Sequence, residues 1–350
     1  MITIMLIGGL FLAGCSGEYI TREYTVSNES ELRAAFASAT NNEVVHITLA
    51  TDIQLQGYPL QVPTGATIII STPRNVFARP ITRIAGEERH FYVPYQATLR
   101  LERGVIIQSQ QSASNTAAPT VNRGGIAVNG GTLDIRGVVS IRNNRWSDGG
   151  GVLVEGGGTF NLSGSGVVSD NIADNGGGVF VQGNNSKFNM SGSGSVSENT
   201  ARANGGGVVV DGNASFSLSG NGIVSENAAH MSGGGIFAQA GGDVTISGSG
   251  RISDNSASND GGGILAIGQD VYIAISGNGN ISRNIARRGG GVALLNDVNF
   301  TRTGSSSISN NTGGNIYTGA DGSVEPVDND SNFQEPSEPQ PGNGGSTQRH

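Results

Sequence analysis

Triple glycines begin at Gly149, Gly176, Gly205, Gly233, Gly261 and Gly289, so one motif returns after 27, 29, 28, 28 and 28 residues. Shorter versions open at Gly124 (GGIAV) and Gly313 (GGNIY). A fixed period of this length is the mark of a stacked repeat and constrains the fold more than any other feature of the chain. After each triplet comes an apolar stretch: VLV, VFV, VVV, IFA, ILA, VAL. A second stretch follows (FNL, FNM, FSL, VTI, IAI), then Ser-Gly-X-Gly at Ser163, Ser191, Ser219, Ser247 and Ser276. A third stretch ends in asparagine: VSDN, VSEN, VSEN, ISDN, ISRN.

Each unit thus holds three short strands, apolar at alternate positions and joined by Gly/Ser/Asn turns, with no room for a helix. A unit this small cannot bury its own apolar side and must stack on its neighbours. Stacking three-strand turns in parallel gives an all-β fold, a single-stranded right-handed parallel β-helix. Val152, Val154, Phe160 and Leu162 then point into the coil, with equivalents repeating at about 4.8 Å. Asn144, Asn171, Asn199, Asn227, Asn255 and Asn284 form one column; asparagine tolerates the left-handed region, and its amide can hydrogen-bond along a stack.

The pattern GGGVxV, F-x-L/M, S-G-x-G-x-I/V-S-x-N resembles the β-helix repeat of the pectin-lyase-like superfamily over roughly residues 85–320. More narrowly it is similar to repeats of bacterial surface proteins, with a distant likeness to chlamydial polymorphic outer-membrane proteins. Those carry GGA followed by Ile or Val, and FxxN; the glycine motif matches here and FxxN does not recur. The resemblance implies a surface protein whose solenoid is a stalk and an adhesin-like binding surface for glycans or host and matrix proteins. The superfamily also contains polysaccharide lyases and glycoside hydrolases, so a carbohydrate-active enzyme is the alternative.

Residues 1–15, MITIMLIGGLFLAGC, resemble a bacterial lipoprotein signal with its lipobox. The resemblance implies a signal peptide over 1–14, cleavage before Cys15 and acylation of its thiol. The apolar run is too short to span a bilayer as a helix. With Ser16 beside the cysteine and no acidic residue there, the resemblance implies the outer membrane or cell surface, held by the lipid. As the sole cysteine, Cys15 excludes an internal disulfide. Residues 15–27 read as a lipidated linker and 28–320 as the β-helix. Within the latter, Asn28 and Glu31 mark a capping helix over 28–41. Degenerate rungs then occupy 42–123 and glycine repeats 124–320. The acidic Pro/Gly segment 321–350 reads as a disordered tail.

A net charge of −8 with 20 Lys plus Arg disfavours nucleic acid as a partner. A monomer is expected. No carboxylate-pair motif of the superfamily's enzymes is present, and no catalytic residue is assigned. The one charge-rich interruption, Arg74 to His90, reads as a solvated loop, with two carboxylates beside four cations as the catalytic alternative. Asp170, Glu198, Glu226 and Asp254 occupy equivalent positions on four rungs. Such a column is tolerable at an exposed turn; the functional alternative is a low-affinity Ca²⁺ stripe, and no other cofactor is expected. Trp146, the sole tryptophan, follows Arg145 where other rungs carry small residues. It either packs over a turn or, with Arg145, stacks on a sugar ring.

Overall fold

The computed structural model describes residues 20–110 and 122–319. They form a parallel β-solenoid of about 9 turns. In the regular repeats the chain visits four faces in turn, as in Val152–Glu155, Thr159–Leu162, Val167–Ser169 and Ile172–Ala173. Among the described residues the faces contain 10, 11, 10 and 4 strands, every strand pairing in parallel with its equivalent on the next rung.

Register follows from which alternate residues are apolar, since a slip of one residue would turn the whole set outward. On the first face Val152, Val179, Val208, Ile236, Ile264 and Val292 align and are fully buried. On the second, Phe160, Phe188 and Phe216 stack with centroids 4.7 and 4.8 Å apart. That separation is the rung spacing itself, so one aromatic column packs by translation alone.

The first face is buried on its outer side too. Phe180, Val209, Phe237, Leu265 and Ala293, the middle residues of the apolar triplets, form a second cluster with exposures of 0–8%. Alternation alone would put them in solvent. The glycine triplet covers them: a Cβ on Gly176 would lie 3.1 Å from Phe180 Cβ, and one on Gly233 2.8 Å from Phe237 Cβ. Gly176 and its equivalents have φ near +60°, which lets the chain fold back over the strand. Next in the triplet, a Cβ on Gly177 would strike the carbonyls of Gly206 and Thr200, the latter at 2.6 Å. On the third, Gly178, a Cβ would lie 2.7 Å from Gly207 O and 2.9 Å from Asn199 Nδ2. Three glycines in a row therefore answer three separate steric demands.

At the N-terminal end, residues 20–26, assigned above to the linker, are instead the solenoid's first strand, Ile20–Val26, paired with Glu43–Leu49. The capping helix, Glu29–Ala37, follows that strand and plugs the coil. Asn28 Oδ1 accepts from Glu31 N–H at 2.9 Å, and Glu31 in turn accepts from Ser27 N–H at 2.7 Å. Leu32, Ala35 and Phe36 are buried, and Phe36 stacks on Phe91 at 5.8 Å. Among the described residues no helix is long and apolar enough to cross a membrane. The signal peptide over 1–14, Cys15 and the tail over 321–350 lie outside the described residues.

Candidate functional site

The asparagine column is a continuous buried ladder. Asn171, Asn199, Asn255 and Asn284 are fully buried, and Asn144 and Asn227 are 1% exposed. From Asn171 onward each Oδ1 accepts from both the backbone N–H and the side-chain Nδ2 of the preceding rung's asparagine; for Asn199 to Asn227 both distances are 3.0 Å. Each Nδ2 also donates to an inner carbonyl one rung back, as Asn227 does to Val196 at 2.9 Å. The ladder continues past Asn284 to Asn311 and then to Asn315. Asn311 stands in Ile-Ser-Asn-Asn, the same third-strand signature as its predecessors, and was legible in the sequence.

The acidic column sits one residue before the ladder. Asp170, Glu198, Glu226 and Asp254 all have φ between 55° and 61°, as do Asn143, Arg283 and Asn310 in the same column. The backbone of this position is left-handed because the chain turns there to place the asparagine inward. The four carboxylates are exposed. Asp254 is held bidentately by Arg283 at 2.7 Å, and that hydrogen-bonded guanidinium keeps its carboxyl below the usual range. Among the described residues no group of three or more His, Cys, Asp or Glu is arranged to hold a metal ion.

The Arg74–His90 stretch is not the solvated loop read from the sequence. It supplies the strand Arg79–Arg83 to the third face and drives three charged or titratable residues into the coil: Arg83 and His90 at 0% and Arg89 at 4% exposure. Burial is tolerable because backbone carbonyls surround the cations. Arg83 donates to Gly57 O at 2.6 Å and Arg89 O at 2.7 Å. Arg89 donates to Gly149 O at 2.8 Å and Asp148 O at 2.7 Å, some 60 residues away in sequence. Burial pushes Arg89 down to about 9 and, with Arg33 adding to it, Arg83 down to about 10, so both stay protonated at neutral pH. His90 Nε2 lies 2.8 Å from Gln108 O, while its Nδ1 has no partner. Burial first, and then the charge of Arg83, push His90 down to about 3. Arg74 and Glu87 stay on the surface, and Arg79 pairs with Asp52 at 3.3 Å. The charges of this stretch therefore do not converge on a common cleft.

Trp146 heads the column continued by Ala173, Ala201, Ala229 and Ala257, its N–H donating to Ile172 O. The Arg89 guanidinium lies 4.6 Å from its ring centroid. The pair fills the space that buried alanines fill in later rungs, and it marks the junction between degenerate and regular repeats. One ring face is thus committed to a buried cation. Arg145 lies beside it in the chain, bridged through its backbone to Arg123 and Ile172.

No family model, curated protein or solved structure matches this chain. Among the surface features of the described residues are two open grooves. One, of about 480 Å³, lies on the third face among Asp52, Gln54, Thr82 and Gln108, with Asp52 its single carboxylate. The other, of about 500 Å³, lies at the edge between the first and second faces.

Proposed function

We propose that the chain is a lipid-anchored protein of the bacterial outer membrane or cell surface whose solenoid is a stiff stalk and an adhesin-like surface for glycans or host and matrix proteins. One observation carries this reading: an unbroken stack in which core, ladder and strand pairing all repeat by the same translation. Ten strands at about 4.8 Å make a rod about 45 Å long. Its second and third faces turn Ser, Thr and Asn outward, as at Thr159, Asn161, Ser195 and Ser197, with Asn189 donating to Asn161 across rungs at 3.0 Å. Such flat polar rows suit shallow contact over many rungs. The anchor rests on the lipobox-like residues ending at Cys15 and is tested by metabolic labelling with a palmitate analogue, which Cys15→Ser abolishes.

A glycan array probed with the purified full chain, run beside a depolymerisation screen on the same polysaccharides, tests the rest. Glycan or matrix binding without new chain ends supports the stalk. Release of reducing or unsaturated ends replaces it with the carbohydrate-active enzyme. Binding to neither glycans nor matrix proteins refutes the adhesin-like reading.

A further inference from the structure

The edge between the first and second faces carries a row that the repeat does not require. The last residue of each first-face strand is Asn129, Glu155, Gln182 and Asp211 on successive rungs. Val210 pairs with Ala238, which puts Gln239 next in the row. Beyond it the same position turns apolar, at Ile267 and Leu295. Before it stand Pro94, paired with Asn129, and then Tyr95, which is 67% exposed. Tyr95 Cβ lies only 3.2 Å from where Gly130 would carry a Cβ. The polar row is thus bounded: an exposed aromatic at one end, aliphatic residues at the other, and a groove of about 500 Å³ along its middle.

Its members are tied to one another. Glu155 Oε1 accepts from Asn129 Nδ2 at 3.2 Å and Oε2 from Gln182 Nε2 at 2.9 Å. A half-buried carboxylate clamped by an amide on each side holds all three side chains in fixed rotamers, while each keeps unused donor or acceptor capacity. Gly156, Gly183 and Gly212 complete the groove lining, and a Cβ on Gly183 would meet nothing within 4 Å. The result is a preorganised strip of alternating amides and carboxylates beside open space.

We propose that this strip is a binding groove for a linear, uncharged polysaccharide lying parallel to the solenoid axis; the inference rests on the surface-binding reading above. Sugar hydroxyls both donate and accept, and they match a row offering amide N–H, amide oxygen and carboxylate oxygen. The rung spacing is close to the length of one pyranose unit, so successive sugars meet successive rungs. Tyr95 offers an electron-rich ring face to the polarised C–H bonds of a terminal sugar. Glu155 and Asp211 repel a uronate chain, which sets the class as neutral. From Tyr95 to Gln239 the row spans five rung intervals, about 24 Å.

The test is calorimetric titration of the full chain with linear cello-, manno- and chito-oligosaccharides and oligogalacturonates, from dimer to octamer. Affinity for a neutral series is expected to rise with length and level off at about five units, the number of rung intervals. Tyr95→Ala and Gln182→Ala are expected to weaken it about tenfold each, the loss of one good contact. Both variants keep the parent melting temperature, and Asn221→Ala at an exposed turn changes nothing. Neutral glycans bound equally by the parent and both variants overturn the groove while leaving glycan binding intact. Oligogalacturonate bound as tightly as the neutral chains overturns the assigned class. Failure to bind any glycan, here and on the array, defeats the glycan reading itself.

Discussion

Replacing Asn227 by alanine tests whether the buried ladder holds the rungs together. The side chain makes four hydrogen bonds: Oδ1 accepts from Asn199 N–H and Nδ2, and Nδ2 donates to Val196 O and Asn255 Oδ1, at 2.9–3.0 Å. At about 1 kcal/mol net per bond the loss is about 4 kcal/mol. A second route agrees. Asn199 Nδ2 keeps its bonds to Val168 O and Ser197 O, whereas Asn199 N–H is left orphaned inside the coil. That orphan costs about 1–3 kcal/mol, and the small cavity adds to it. Against a total stability of about 5–15 kcal/mol, the change is large. Urea denaturation followed by circular dichroism reads it, with Asn221→Ala at an exposed corner as the control within about 0.5 kcal/mol. Asn227→Asp adds a sign. Its new oxygen faces Val196 O and Asn255 Oδ1, so the folded carboxyl titrates above its unfolded value. The folded state then binds the extra proton, and the gap to the parent narrows as pH falls from 7 towards 5. An Asn227→Ala variant indistinguishable from Asn221→Ala, or an Asn227→Asp gap that widens on acidification, would refute the reasoning.

Glycine replacements separate steric need from conformational need. Gly178→Ala is expected to cost about 3 kcal/mol or more because its Cβ meets Gly207 O and Asn199 Nδ2. Gly183→Ala, at φ +83° with open space around it, should cost only about 1 kcal/mol; equal melting temperatures would contradict the distinction. His90, pushed down to about 3 against an unfolded value near 6.5, makes the unfolded state bind the extra proton in that window. Stability contributed by the neutral ring is complete above the unfolded value and falls by roughly 1.4 kcal/mol per pH unit on acidification towards 3. His90→Gln should flatten that slope in melts across the window, whatever it does to stability at neutral pH. Glu226→Asn is expected to stabilise by about 0.5–1 kcal/mol, since asparagine suits φ +57° better and relieves repulsion from Glu198. If the acidic column binds Ca²⁺, millimolar Ca²⁺ raises the parent's melting point and removes that gain; no shift with Ca²⁺ rules the stripe out.

What the sequence revealed and what it hid divide along a physical line. Period and alternation specify register, so the parallel solenoid, the Phe160–Phe188–Phe216 stack and the asparagine ladder were all readable from spacing. Alternation also implied an outward Phe180 and Phe237, because it reports one sheet face and is blind to a backbone arm folded across the other. The Arg74–His90 stretch misled for a related reason. Charge usually means solvent, but the Arg83 and Arg89 guanidiniums are solvated by backbone carbonyls, and carbonyls leave no trace in composition. The binding row from Tyr95 to Gln239 was hidden by its own variability: no residue type repeats along it from rung to rung, so a search for repeats passes over it. In a solenoid, the positions that break the column while staying polar are where binding can be added without disturbing the stack.

The two ends of the ladder show how such a stack is terminated. A column of asparagines leaves one unmatched acceptor at its start and unmatched donors at its end, and nothing in the pairing rule itself stops it from extending. At the start, Ser109 Oγ donates to Asn144 Oδ1 at 3.2 Å, so a hydroxyl replaces the missing amide. At the other end Asn315, only four residues after Asn311 and on the same rung, accepts from both Asn311 N–H and Nδ2. The turn that brings it back runs through Gly313 and Gly314, both with φ above +90°. GGNIY thus reuses the glycine motif to close the ladder instead of lengthening it. At the opposite end of the solenoid the helix Glu29–Ala37 packs against the first strands and buries Leu32, Ala35 and Phe36, so a hydrophobic plug there does for the core what Asn315 does for the ladder.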